Sequence, residues 1–177
     1  MENSNKSQAL NYGLYLALIL VAFTVVGYTV SLKMFVTIWF PFLLLAIIVT
    51  FGVLASIKEK KSLGGFISFK DTFKAYFIVI VIGLFAANLF NYILFNFVDT
   101  ETNAILRELI IETQLEGLEK WGTAPEALEK QRINLEKETN FYSLKNVALN
   151  LGFKIIGYSI IGLISSAIIR RKDPHAA

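Results

Sequence analysis

Residues Ala75–Val98, AYFIVIVIGLFAANLFNYILFNFV, run for 24 positions without a charged side chain. A bilayer core of about 30 Å is crossed by about 20 apolar residues in a helix. Helices on the surface of soluble proteins keep one apolar stripe and a polar face opposite it. This stretch is apolar all round, so it predicts a transmembrane helix and decides the fold class.

Working outward, two further runs meet the same test: Ser7–Leu32 has 26 uncharged residues and Met34–Ile57 has 24. A fourth, Leu144–Ile169, is interrupted by Lys145 and Lys154 and ends at Arg170-Arg171-Lys172. The prediction is an all-α membrane protein of one domain, with four transmembrane helices at about 9–32, 36–57, 74–98 and 146–169. Pro41 falls in the first turn of the second helix, where its missing N–H costs little. The first run far exceeds the about 7–15 apolar residues of a signal peptide, and no small-residue cleavage site follows, so it is expected to be retained.

The composition agrees with this partition. The chain has 177 residues, 55% hydrophobic and 18% charged, against about 45–50% and about 25% in soluble domains. Cysteine is absent and the one histidine, His175, lies in the tail. Disulfides, thiolate or imidazole metal sites and Cys or His catalysis therefore have no material, and no cofactor is expected.

The net charge of +3 is a difference between two larger numbers. Residues 99–140 hold ten acids and five bases, and the remainder holds twelve bases and four acids, so −5 and +8 add to +3. Nucleic-acid binders gather bases on one exposed surface. Here they flank apolar runs, which predicts a lipid bilayer as partner and no nucleic acid. Lys58, Lys60, Lys61, Lys70 and Lys74 fall between the second and third helices, and Arg170, Arg171 and Lys172 follow the fourth. Lys and Arg in short loops mark the cytoplasmic side. The expected topology is that of a multi-pass protein of the bacterial cytoplasmic (inner) membrane. Both termini would be cytoplasmic, with Lys58, Lys60, Lys61, Arg170, Arg171 and Lys172 as anchors, and residues 99–140 extracytoplasmic.

Between the third and fourth helices, Ile105, Leu106, Leu109, Ile110 and Leu118 recur at helical spacing. Gly122 breaks that pattern, and Thr123-Ala124-Pro125-Glu126 reads as the start of a second helix with proline just inside it. The expectation is an extracytoplasmic helical hairpin over about 102–139. Its apolar stripe packs on itself, on a second copy of the chain, on a protein partner or on the membrane surface. In the 58–74 loop, Gly64-Gly65 marks a turn, and its apolar side chains among lysines suit the headgroup layer. The phosphate-loop spacing is absent there.

Five polar residues form a candidate intramembrane cluster at the outer end of helices three and four: Asn88, Asn91, Asn146, Asn150 and Lys154. The last three stack at i, i+4 and i+8. An ionisable group inside a membrane helix is a functional candidate by default. Lys154 lies sixteen residues from Arg170, about 24 Å along the axis, so its ammonium can also reach the interface by snorkelling. The four predicted spans contain no Asp or Glu, which argues against a proton relay. Gly83/Ala87 and Gly162/Ser166 are small pairs that suit close helix packing.

Tyr12-Gly13-Leu14-Tyr15-Leu16, Ile67-Ser68-Phe69-Lys70-Asp71-Thr72-Phe73-Lys74, Phe95-Asn96-Phe97-Val98-Asp99 and Ile161-Gly162-Leu163-Ile164 before Arg170-Arg171-Lys172 together resemble a bacterial family. It is the family of small four-helix membrane proteins catalogued as domain of unknown function 4199. The likeness covers nearly the whole chain. Thr100 stands where that family often has proline. The resemblance implies membrane residence and no known activity, so it carries no catalytic or binding residue across. The functional expectation is a non-enzymatic membrane protein acting by assembly or partner contact through the hairpin. The alternative is a small transporter or channel component using the polar cluster.

Overall fold

The computed structural model describes residues 2–137 and 140–171, with side chains from Gln8 onward. Lys172, His175 and the last two residues of the expected hairpin lie outside the described residues. The described residues form six α-helices: α1 (Glu2–Val30), α2 (Trp39–Ser62), α3 (Phe69–Ile93), α4 (Thr100–Lys120), α5 (Pro125–Lys137) and α6 (Leu144–Ile169). A 3₁₀ turn at Leu32–Val36 joins α1 to α2, and a π-helical turn at Leu94–Val98 follows α3. No strand occurs among the described residues. Four helical segments are long and apolar enough to cross a membrane: Gln8–Val30, Trp39–Ser62, Phe69–Val98 and Leu144–Ile169.

α3 is the centre of the bundle. It packs against α1, α2 and α6, while among the described residues the backbones of α1 and α6 stay more than 8 Å apart, Cα to Cα. Its buried residues are Thr72 and then the pairs Ala75 and Tyr76, Val79 and Ile80, Gly83 and Leu84, and Ala87 and Asn88, recurring every three to four positions as one stripe along the helix. The stripe works because small residues face large ones. A Cβ on Gly83 would meet Leu16 at 2.5 Å, and a Cβ on Gly52 or Gly162 would meet the Tyr76 ring at 2.5 Å. Tyr76 is therefore clasped between α2 and α6 with none of its surface exposed. Ser166 is equally enclosed, so both small pairs flagged by spacing sit at close helix approaches.

α6 contributes only Gly162 and Ser166 to the buried interior. Its Phe153, Ile156, Ile160, Ile164 and Ile168 remain exposed on the bundle. Outward apolar surface of this extent is what a lipid-facing helix carries, because hydrocarbon solvates it as well as a protein core does.

The two basic clusters meet at one end. Lys60 Nζ donates to Ile169 O at 2.7 Å, satisfying a carbonyl that the end of α6 leaves open. Ile67 and Arg171 exchange backbone hydrogen bonds at 2.9 and 3.1 Å, and the Arg171 guanidinium stands 5.4 Å from the Phe66 ring centre. Gly64 and Gly65 turn the chain with φ of +74° and +93°, left-handed values that side chains resist. Ser68 then caps α3, its Oγ accepting from Asp71 N at 3.1 Å.

Candidate functional site

The opposite end, where α4 and α5 attach, is built on asparagines. The π turn shifts the register at the end of α3, and Asp99 follows as the N-cap of α4. Thr102 N donates to Asp99 Oδ1 at 3.0 Å and Thr102 Oγ1 to Asp99 Oδ2 at 2.7 Å. Tyr28 Oη, from the end of α1, donates to the same Oδ2 at 2.8 Å. The hydroxyl of Thr102, its N–H, and then the Tyr28 hydroxyl hold the Asp99 carboxyl below the ordinary aspartate value. A carboxylate accepting several hydrogen bonds is favoured in its charged form.

Beside it, Asn140 joins four segments. Its Nδ2 donates to Asn96 Oδ1 at 2.8 Å, and its Oδ1 accepts from Asn103 Nδ2 at 2.9 Å and Tyr142 N at 2.8 Å. Its carbonyl accepts from Asn146 Nδ2 at 2.9 Å. Asn96 Nδ2 adds bonds to the carbonyls of Tyr92 and Tyr142 at 2.8 and 2.9 Å. Phe95 fills the apolar side of this junction against Tyr28, Phe35 and Tyr142, with ring centres 4.5–6.4 Å away. Burial pushes the Tyr142 hydroxyl up to about 12, so it stays neutral at ordinary pH.

Of the five residues singled out by spacing, Asn88, Asn91, Asn150 and Lys154 line one cavity of about 370 Å³ between α1, α2, α3 and α6. Asn146 does not line it; its amide is committed to Asn140. The amide of Asn88 donates back to Leu84 O at 2.7 Å, and Asn91 Oδ1 is buried without a hydrogen-bond partner among the described residues. Leu20, Ile48, Leu84 and Tyr158 line the cavity toward mid-helix, and Ile110, Phe141 and Tyr142 line it toward the α4–α5 end.

Asn96, Asn103, Asn140 and the Tyr28–Asp99 contact were not singled out by spacing. A partial signal existed at Asp99, which stands three residues before Thr102 at the exit of an apolar run, an N-cap position. Nothing local marks the bonds of Asn140 to Asn103 and Asn96, which lie 37 and 44 residues away.

α4 and α5 pack on each other and enclose a cleft of about 480 Å³ lined by Arg107, Glu108, Ile111, Glu112, Arg132 and Glu136. Arg107 Nη2 donates to Glu136 O at 2.7 Å across the pair. Trp121, at the tip, is 90% exposed. Among the described residues no group of three His, Cys, Asp or Glu side chains could hold a metal ion.

Residues 11–171 match the model of a family described as "Protein of unknown function (DUF4199)". No curated protein and no solved structure matches the chain.

Proposed function

The chain belongs to the DUF4199 family of proteins of unknown function, and from that premise we propose a non-enzymatic membrane protein that presents the α4–α5 hairpin to a protein partner or to a second copy of itself. In this reading it resides in the bacterial cytoplasmic membrane. Both termini and the 58–74 loop face the cytoplasm, and residues 99–140 lie outside.

One observation carries the reading. α5 is 13 residues long, buries none of them, and among the described residues packs on α4 alone. A helix that short is marginal in water without tertiary packing. The exposed Trp121 and Ile133 provide apolar anchors at the tip and on α5, the residue types that supply binding energy when a partner covers them. The polar junction at the root holds the hairpin in one orientation, which lowers the entropy lost on binding. A solute path through the bundle is favoured less: Tyr76, clasped by Gly52 and Gly162, and Leu16 against Gly83 pack the half of the bundle below the cavity.

The test is photo-crosslinking in native membranes with a reactive residue at Trp121 or Ile133. Adducts at these positions support the reading when the same partner or oligomer co-purifies with the tagged chain from native membranes and is lost on replacing residues 102–137 by a short linker. If that replacement leaves every co-purifying partner and oligomer unchanged, the hairpin is not the interaction surface.

A further inference from the structure

Lys154 stands at the centre of the bundle's apolar belt. Three contacts set the register of α6 against α3: Ile67 with Arg171, Tyr76 with Gly162 and Asn96 with Tyr142. Lys154 lies eight residues before Gly162 and Leu84 eight after Tyr76, so the antiparallel helices bring the two level. Exposed apolar side chains extend from Ile168 at one end to Val98 at the other. Lys154 is fourteen residues from Ile168 and Leu84 fourteen from Val98, about 21 Å each way along the axis. A bilayer core of about 30 Å centred on this belt leaves about 15 Å to either surface. The four-carbon stem of a lysine does not reach that far, so snorkelling does not serve at this level.

The charge is also unmatched. Among the described residues no carboxylate forms an ion pair with Lys154. Asp71 and Asp99, before and after the apolar run of α3, are thirteen and fifteen residues from Leu84, about 20 and 22 Å along the axis. Glu59 lies seven residues past Gly52, which faces Tyr76, and so falls at the Asp71 end. Every other acid with a described side chain is on α4 or α5. A second copy in the same orientation repeats these levels and brings no acid to Lys154. Charges inside a membrane are costly alone and are met in pairs.

One face of α6 is built differently from a lipid-facing surface. Only 6% of the α6 span is buried, against 28–33% in the other three. Leu149, Phe153, Ile156, Ile160 and Leu163 form an exposed seam that is apolar throughout and suits acyl chains. Asn150, Lys154, Gly157, Ile161, Ile164 and Ile168 form a second seam, in the alternating four- and three-residue steps of helix-on-helix packing. Asn150, Lys154 and Gly157 are exposed on it, and a Cβ on Gly157 would meet nothing within 4 Å. Asn150 and Lys154 also line the cavity, which puts this seam at the cavity's edge.

We propose that the Asn150–Lys154–Gly157–Ile161 seam docks a transmembrane helix of a different protein, one that carries an aspartate or glutamate at mid-depth to pair with Lys154. The carboxylate supplies the charge that this chain and a second copy of it lack at that level. The Asn150 amide, one turn away, offers it a further donor. Gly157 lets the two backbones approach closely, as small residues do at helix interfaces in membranes. The inference stands on α6 alone and does not depend on what the hairpin binds.

The experiment places the full chain in phosphatidylcholine vesicles with a leucine-rich transmembrane peptide bearing one central glutamate. Companion peptides carry leucine or lysine at that position. Association is read by energy transfer to the peptide from a dye on Lys61→Cys, beside the end of α6. The glutamate peptide is expected to bind about tenfold more tightly than the leucine peptide, the size of a polar interhelical contact in model peptides. Lys154→Leu abolishes that preference, Lys154→Arg keeps it, and Lys154→Glu transfers it to the lysine peptide. Gly157→Leu weakens binding of the glutamate peptide. Gly152→Leu, equally open but on the other flank of α6, leaves it unchanged.

The proposal is overturned if wild type does not distinguish the glutamate and leucine peptides, if Lys154→Leu still does, or if Gly152→Leu loses as much as Gly157→Leu. Association of two full chains that disappears in Lys154→Leu would give the seam to a second copy instead. Labelling of Lys154→Cys by a water-soluble maleimide in native membranes also overturns it, because a hydrated lysine needs no partner.

Discussion

Tyr28 Oη donates a 2.8 Å hydrogen bond to Asp99 Oδ2 across 71 residues of sequence, tying the last turn of α1 to the cap of α4. One carboxylate thus starts the helix that leaves the bundle and fixes where it leaves. Its charge is favoured in the folded state, because its proton would displace bonds from Thr102 and Tyr28.

A group whose folded pKa is depressed stabilises the fold above its unfolded pKa, about 3.9 for aspartate, and loses that contribution as pH falls through the folded value. Amide exchange in residues 100–106 is therefore expected to accelerate below about pH 4 beyond its intrinsic dependence. In Asp99→Asn that extra acid sensitivity should vanish. An unchanged pH profile in the variant would show that the cap carries no such linkage.

Asn140→Ala strands Asn96 Oδ1 and leaves the amide of Asn103 with its 3.2 Å bond to Phe95 O. Leaving buried polar groups unmatched costs about 1–3 kcal/mol. The expected outcome is faster exchange at the root of α4 with little change in α2. Pairing it with Asn96→Ala in a double-mutant cycle should give a coupling well away from zero; additive effects would dissolve the network into independent bonds.

Gly52→Ala and Gly162→Ala each place a methyl 2.5 Å from the Tyr76 ring. Overpacking of this kind costs about 1–3 kcal/mol, read as lower resistance to unfolding in mixed detergent. Gly152→Ala and Gly157→Ala on the same helix meet nothing within 4 Å and serve as controls. Losses in these controls equal to that of Gly162→Ala would place the Gly162 effect in α6 itself rather than at Tyr76.

Lys60→Met removes the 2.7 Å bond to Ile169 O together with a cation at the C-terminal end of α6, where the helix dipole favours positive charge by about 0.3–1 kcal/mol. Exchange should rise at Ile67 and Arg171, which pair directly beyond it. Lys58→Met, with no bond to α6 among the described residues, should leave both amides protected.

The proposed orientation is checked by labelling, since the chain has no cysteine of its own. In intact cells a membrane-impermeant maleimide should label Lys120→Cys at the end of α4. It should reach Lys61→Cys only after lysis. The reverse pattern would invert the topology.

Much of the architecture was legible because a bilayer imposes it. Ala75–Val98 and its three counterparts are too apolar for water and long enough to span, and Gly122 and Pro125 mark the joint between α4 and α5 by local backbone chemistry. Burial was not legible in the same way. Between Ala75 and Ala87 of α3 apart from a tyrosine, and from Ile155 to Ile169 of α6 apart from three serines and a tyrosine, the side chains are apolar on every face, so no polarity contrast tells which side meets protein and which meets lipid.

The sequence by itself determined four apolar helices, their basic and acidic flanks, and a short list of polar residues within them. Only the tertiary structure decided that α3 is the hub, that Tyr76 is clasped by two glycines, and that Lys154, Asn88, Asn91 and Asn150 share a cavity while Asn146 joins Asn140. The physical reason is range. Hydropathy, caps and glycine turns act within a few residues, whereas side-chain complementarity and the matching of amide donors to acceptors depend on segments brought together from far apart in the chain, 24 positions for Gly52 and Tyr76 and 86 for Tyr76 and Gly162.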